Sequence, residues 1–505
     1  MNKSTKFFGC GLLALGLFAA CGGDDTPSGG SGGTGGGAGA KSTGGGPGNE
    51  GGGSSDAGAG GGHESGLANP IHVVPDSTET SPDGSEAHPF ASIRRAVDAI
   101  VADTSWDGKV IVHEGRVELT AADGDLVLPK RADLEVRAGA TFAMGYLVAI
   151  HAQRHVEVLG TAEKQVVFTW LDEGQHWSGF TLFEPTSTDN VFEYATFEHG
   201  YEVQFNGIGM RGALSIYGAG ARISHCTFQE NEGDDGLGMK ANKAILEYST
   251  FIDNFGDAFD GDKNKGSEIR FNTFTGGIND AVDMGEGSDA YIHDNVMVGL
   301  GDKAISSGEA STLRIEHNLM VGCHIGIGDK DGSMLTASNN TLYGNEIGIA
   351  AYEAVAGYGA GNGTFTSNIV WGSTVNDLDL DPASEAIFTY SCIDTLKRRD
   401  PDTLVLTDED HNDVNGSVAD MDGILSRGTG CDDPLFADPD NLDFHLQSAA
   451  GRYNPTTKKW VIDHATSPGI DGGDPDADVG DEPEPNGARV DMGLFGGTSE
   501  ASKSP

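Results

Sequence analysis

The sequence predicts an all-β fold, a single-stranded right-handed parallel β-helix (a solenoid) with an N-terminal capping helix and an irregular C-terminal cap. Three observations predict it. First, the chain repeats itself between about Ala221 and Leu380. The segments "ISHCTF", "LEYSTF", "IRFNTF", "IHDNVM", "IEHNLM", "ASNNTL" and "FTSNIV" align, and their fourth residues are Cys226, Ser249, Asn272, Asn295, Asn318, Asn340 and Asn368, at intervals of 23, 23, 23, 23, 22 and 28. Second, an apolar residue stands two places beyond each: Phe228, Phe251, Phe274, Met297, Met320, Leu342 and Val370. Third, each unit holds two or three short alternating runs separated by Gly, Asn or Asp turns, and glycine, at 77 of 505 residues, is too frequent for stable helices. Such units are too short for a helix pair or a four-stranded propeller blade. Windings stacked at roughly 4.8 Å put equivalent side chains above one another, so an interior Asn column can link its amides from coil to coil.

The elements follow in chain order. In residues 1–20, Lys3 and Lys6 precede the apolar run "FFGCGLLALGLFAA", which is shorter than the roughly twenty residues of a membrane-spanning helix. The run "LFAAC" resembles a bacterial lipobox, with Phe18 an unusual residue at its place in that motif. The resemblance implies that Cys21 becomes the lipid-modified N-terminus; the plainer alternative is a secretory signal cut after Ala20. Residues 21–66 are almost all small and polar, a tether with no core to bury. Residues 67–385 are assigned to the β-helix. Within them "DGSEAHPFASIRRAVDAIVAD" has helical spacing at Ile93, Val97 and Ile100, with Ser92 as N-cap, and a helix there covers the open end of the solenoid. Residues 386–505 lose the period and read as a loop-rich C-terminal extension.

A net charge of −46 excludes nucleic acid as a partner, because counterion release needs clustered Lys and Arg. It suits an exported chain that meets divalent cations or polymers. Gly22, where inner-membrane retention calls for Asp, favours an outer-membrane or cell-surface anchor. Of six Cys, Cys10 and Cys21 belong to the signal, Cys226 and Cys323 read as buried thiols, and Cys392 and Cys431 flank a loop-rich stretch where a bridge or two free thiols are equally consistent.

The ladder and apolar columns resemble the repeats of pectin-lyase-like right-handed β-helix proteins. "GSEAHPFASIRRAVDAI" resembles the opening segment of exported bacterial members, and "SPGIDGGDP" with "DMGLFGG" a C-terminal extension of bacterial surface members. The resemblance covers most of the chain after Gly66 and implies the fold. It leaves function open among lyases, hydrolases, epimerases and adhesins.

The near-copies "GDAFDGD" and "NDAVDMG" place acids in register. Asp257, Asp280 and Lys303 form one column, Asp260, Asp283 and Ser306 a second, and Lys263, Glu286, Glu309 and Asp331 a third. Two carboxylates one strand spacing apart repel by roughly 3 kcal/mol at an effective dielectric near 20, so positive charge is expected beside them. Lys263, Lys265, Lys303 and Lys330 can supply it. The alternative is Ca²⁺, with Asp257, Asp260, Asp280 and Asp283 as ligands. The resemblance to calcium-dependent polysaccharide lyases implies that the ion acidifies a uronate C5 proton, which Lys303, or else Lys330, removes. A Lys among carboxylates has its pKa raised, which instead favours an ion-pair role. Arg270 and Arg314 fall on another face, Tyr291, Tyr343 and Tyr352 are the few aromatics of these coils, and His225, His293 and His317 read as turn or surface residues. The reading is a monomeric, lipid-anchored envelope protein contacting an acidic polysaccharide, with a non-enzymatic adhesin or spacer as the competing class.

Overall fold

Each repeat folds into a three-sided coil. One runs Ala221–Ser224, Thr227–Gln229 and Asp235–Lys240, and the next begins at Ala244–Glu247. The computed structural model describes residues 66–183, 189–381, 383–394 and 433–505, with three short strands at Leu406–Thr407, Asp413–Val414 and Val418–Asp420. The segment expected to be a signal, Cys21, Cys431 and all of the expected tether but Gly66 lie outside the described residues. Among those described, the three sides stack into parallel sheets of fourteen, twelve and eleven strands, here sheets 1, 2 and 3 in the order each coil visits them. The solenoid runs past residue 385: Glu385–Thr389 pairs with Asn362–Thr366, and Cys392–Ile393 with Ile369–Trp371.

The asparagines are piled in a line, fully buried. The backbone N–H of Asn272 donates to Asn295 Oδ1 (3.0 Å), Asn295 to Asn318 (3.0 Å), Asn318 to Asn340 (2.9 Å) and Asn340 to Asn368 (2.9 Å), and each side-chain amide repeats the bond. Each Asn therefore satisfies the backbone of a sharp corner that water cannot reach. The same corner carries the left-handed residues His225, Tyr248, Phe271, Asp294, His317 and Asn339 on its outside. Inside, the predicted Phe column is longer than its even spacing showed. Phe142, Phe168 and Phe197 stack ahead of Phe228, Phe251 and Phe274, with centroids 4.7–5.1 Å apart. Each such ring contributes roughly 1.5–3 kcal/mol by burial.

The N-terminal helix α1 (Ile93–Ala102) is where it was expected, burying Ile93, Ala96, Val97 and Ile100 on the first coils. Ser92 holds the N-cap position with an extended backbone but makes no side-chain cap bond. At the other end, residues 433–505 lie against the outside of sheet 2, where Phe436, Phe444, Leu446, Ile470, Met492 and Leu494 pack on Val296, Leu319 and Ile369. Cys226 and Cys323 are buried thiols as expected, and Cys392 is disulfide-bonded.

One interior residue opposes the fold. Asp329 points into the solenoid between Ser307 and Ala351, is 0% exposed, and neither of its oxygens has a partner. Gly361 passes close to it; a Cβ there would lie 2.1 Å from the Asp329 carbonyl oxygen and 2.6 Å from its carboxyl carbon. Burial alone holds its pKa well above the carboxylate range, so folding must protonate it. Asp329→Ala is expected to stabilise the protein by about 2 kcal/mol at pH 8, read as a higher urea midpoint.

Candidate functional site

The acidic columns fall on sheet 3, in the register the sequence implied. Along the strand Asp257–Asp262, Phe259 faces the core and Asp260 faces out. Asp260 is paired with Asp283 on the next coil and Asp283 with Ser306. Asp257 is paired with Asp235 on the coil before. On the coil after, Asp257 Oδ1 accepts the Asp280 backbone N–H (3.0 Å), and Asp280 Oδ1 accepts that of Lys303 (2.7 Å). The third predicted column is the corner leaving this sheet: Lys263, Glu286, Glu309 and Asp331 all have φ of 51–55°. Lys263 pairs there with Glu286, and Asp331 is buried, accepting the Val355 N–H (2.7 Å).

Two lysines enter the acid patch. Lys303, 5% exposed, reaches Asp302 (2.6 Å) and Asp280 (3.5 Å), its stem lying across Gly328, where a Cβ would come within 2.5 Å of it. Lys240, which the sequence reading passed over, bridges Asp260 (2.8 Å) and Asp262 (2.5 Å) and stands 5.7 Å over the Tyr217 ring. Burial by itself would lower both ammonium pKa values, but the facing carboxylates outweigh it and raise them. Lys330 is two coils beyond Asp283, at the outer end of its strand above Gly308, away from the carboxylates.

The carboxylates are short of positive charge. Burial, then the neighbouring Asp280 and Asp283, push Asp257 up to about 10. Burial pushes Asp260 to about 7 and Asp280 to about 6, with Lys240 and Lys303 respectively pulling back. Asp235 is buried, with Oδ2 unpartnered, and the Tyr217 hydroxyl beside it also lacks a partner. Burial raises Asp235 well above the carboxylate range and takes Tyr217 to about 12. Among the described residues no three acidic or histidine side chains converge closely enough to enclose an ion by themselves. A cation here would take single oxygens from several of the four Asp and complete its shell with water.

Beside this sheet, at its corner with sheet 2, runs a groove. Two adjoining cavities of about 490 and 760 Å³ share Tyr201, Glu232, Phe255 and Ile278 in their lining. Phe255 and Ile278 are each 60% exposed on neighbouring coils, and because both line the same groove their apolar surface forms one patch. Arg211, ion-paired to Asp234, and His176, paired to Glu232, add polar groups. The lining of the groove ends at Gly256 and Asn279, the residues that immediately precede Asp257 and Asp280 in the chain. Nothing in the repeat alignment had marked Phe255 or Ile278, although an apolar residue at a turn was the available signal.

The other residues singled out in the sequence lie elsewhere. Arg270 and Arg314 sit on sheet 1, bound to Glu247, Glu268 and Glu316. Tyr291 is beneath Arg314 on that sheet, Tyr343 packs against Phe436 and Phe444, and Tyr352 is buried. His225 and His317 occupy the outer corner, and His293 pairs with Asp294 and Glu268. No helix among the described residues is long and apolar enough to cross a membrane.

Comparison with known proteins matches two family models, "Right handed beta helix region" over residues 175–320 and "Disaggregatase related" over residues 280–473. With the coordinates, the first fixes the fold as a right-handed parallel β-helix. No curated protein matches the sequence. Among solved structures, pectate lyase Pel9A is similar at 13% identity with a TM-score of 0.35, over 85% of this chain and 97% of that one. The A-module of the Azotobacter vinelandii mannuronan C-5 epimerase AlgE4 gives 14% and 0.34, over 68% and 93%. A double mutant of the periplasmic alginate epimerase AlgG gives 11% and 0.29, over 56% and 76%.

Proposed function

We propose that this protein is a lipid-anchored envelope β-helix that binds an acidic polysaccharide in the groove beside sheet 3. The observation that carries the reading is the juxtaposition itself. An apolar strip, Tyr201, Phe255 and Ile278, runs along the coils next to buried, under-neutralised carboxylates. Sugar rings offer apolar faces and polar edges, which suits such a strip. A uronate beside Asp257 and Asp280 needs a cation between, and Ca²⁺ shared by Asp257, Asp260, Asp280 and Asp283 is the one the oxygen donors favour.

Cleavage is the sharper form of this reading. When bound, the ion supplies Lewis acidity at the uronate carboxylate. For this, Lys303 would have to give its own proton to solvent once the ion offsets the charge of Asp280. Its neutral amine would then take the C5 proton as the C4–O bond breaks and the leaving oxygen is protonated from solvent, giving an unsaturated product. Lys330 is the alternative base. The competing reading, an adhesin or spacer, is favoured by one observation: Lys303 is held as an ammonium by Asp302 and Asp280.

Incubation with a panel of uronate polymers, with and without CaCl₂, separates them. Ultraviolet absorbance of unsaturated product that requires calcium and disappears in Lys303→Ala supports the lyase. Polymer retention without product, weakened in Phe255→Ala/Ile278→Ala, supports the adhesin. Absence of both rejects the polysaccharide reading. For the anchor, Cys21→Ser is expected to move the protein from the membrane to the soluble fraction.

A further inference from the structure

A second under-neutralised acid cluster lies in the C-terminal segment, away from sheet 3. That segment is fastened to the solenoid through the same stretch that carries the acids. Asn339 Nδ2 donates to Asp491 O (2.9 Å), Leu494 N–H to Thr341 Oγ1 (3.0 Å), and Gly493 N–H to Ser367 O (2.8 Å). Glu482 is 6% exposed; its Oε1 accepts the N–H groups of Asp491 and Gly497 (2.8 Å each). Asp491 is 2% exposed, and its Oδ1 accepts the Asp471 N–H (2.9 Å). The other oxygen of each, Glu482 Oε2 and Asp491 Oδ2, is buried and makes no hydrogen bond of ordinary geometry, the Ser502 N–H giving Asp491 only a weak additional contact. Asp471 comes alongside, its carboxylate against Gly487, where a Cβ would lie 2.2 Å from Oδ1, and it accepts the Ser504 hydroxyl (2.8 Å).

No Lys, Arg or His among the described residues answers these charges. Arg489, close in sequence, spends its guanidinium on Gly473 O (2.6 Å) and Gly472 O (3.2 Å) and lies over the Tyr390 ring. We propose that Glu482 and Asp491, with Asp471 beside them, hold a divalent cation of the calcium class that fastens the C-terminal segment in place. Two orphaned carboxylate oxygens in one buried loop system are what a hard, oxygen-seeking ion satisfies. Since three side chains do not enclose an ion here either, backbone carbonyls and water complete the shell. The irregular coordination of Ca²⁺ tolerates this and the octahedral demand of Mg²⁺ does not. Burial, and then Glu482, lift Asp491 to about 8, so the rival occupant of the space between the acids is a proton.

The test uses the full-length protein stripped with a chelator and titrated with CaCl₂. Asp260→Ala/Asp283→Ala removes two of the four proposed sheet 3 ligands in every sample, and uptake lost only on adding the C-terminal substitutions belongs to the C-terminal cluster whether or not the proposed function holds. Calorimetry is expected to show about one Ca²⁺ bound, with the unfolding midpoint rising by roughly 5 °C or more. Adding Glu482→Gln/Asp491→Asn is expected to abolish uptake while raising the calcium-free midpoint, because the repulsion is gone. No uptake in the Asp260→Ala/Asp283→Ala protein, together with a midpoint that rises on acidification from pH 8 to 6 but not with calcium, overturns the proposal in favour of a shared proton. Should the quadruple variant not fold, Glu482→Gln alone on the Asp260→Ala/Asp283→Ala background replaces it, and uptake unchanged by that substitution overturns the proposal.

Discussion

Replacing Asn295 with alanine lowers stability by about 3–5 kcal/mol, as expected also of Asn318 and Asn340, which make the same set of bonds. The Asn295 amide donates to Ile269 O, His293 O and Asn318 Oδ1 (2.9 Å each), and its Oδ1 accepts both N–H groups of Asn272 (3.0 Å). Alanine removes all of these and leaves the Asn272 backbone N–H orphaned in a corner that is 0% exposed. The same column contains its own control. At Ser249 a hydroxyl accepts the Cys226 N–H (3.1 Å) and donates to Glu247 O (3.0 Å). Asn295→Ser therefore keeps an acceptor for Asn272 and costs about 1–2 kcal/mol. Chemical unfolding of the two variants reads the difference directly. Equal losses would show that the column fills space and does not hold the corners.

The second large effect is a dependence on pH. Asp257, Asp260 and Asp280 have raised pKa values, so between pH 4 and their folded values the native state binds more protons than the unfolded one. Stability then falls as pH rises, through about 6 for Asp280, about 7 for Asp260 and on toward about 10 for Asp257. The loss between pH 5 and pH 8 is on the order of 3–5 kcal/mol. Glu135, Glu247 and Glu316 are shifted the other way by their Arg and Lys partners against the penalty of burial, and they act below this window. Unfolding midpoints at pH 5 and pH 8, measured for the parent and for Asp257→Asn/Asp260→Asn, isolate the patch. A midpoint that climbs from pH 5 to pH 8 contradicts the assignment; a flattened slope in the variant supports it.

The solenoid was legible because a stacked coil writes its vertical neighbours into the sequence at nearly constant spacing. Asn272, Asn295 and Asn318 announce themselves. The earlier coils did not, since the hairpin of Val203–Phe205 and Ile208–Met210 and other insertions break the interval around Phe168 and Phe197. Register also placed the Asp columns, but it finds only partners directly above or below. Lys240 is in register with Asp262 and reaches Asp260 diagonally, a relation an alignment of repeats does not display. Asp329 was hidden for a different reason: "GDKDG" reads as a solvated turn, and only the fold turns its first carboxylate inward. One signal was present and unread. The outer residues of sheet 2 are polar in "TFQ" and "TFT" but apolar in "VMV", "LMV" and "IVW". That change marks where the C-terminal segment lies.

The C-terminal segment also alters how the solenoid comes apart. Elsewhere the backbone bonds of each winding run to the windings beside it, and single ion pairs such as Lys109–Glu157 and His176–Glu232 reach one layer further. The array can therefore fray a layer or two at a time from an end. From His317 through Asn339 and Ser367 to Tyr390, one strap crosses four successive layers and is bonded to three of them and stacked on the fourth. Those layers must release together or not at all. Amide hydrogen exchange should therefore register them as a single slow-opening block, with faster, graded exchange toward the layers the strap does not reach.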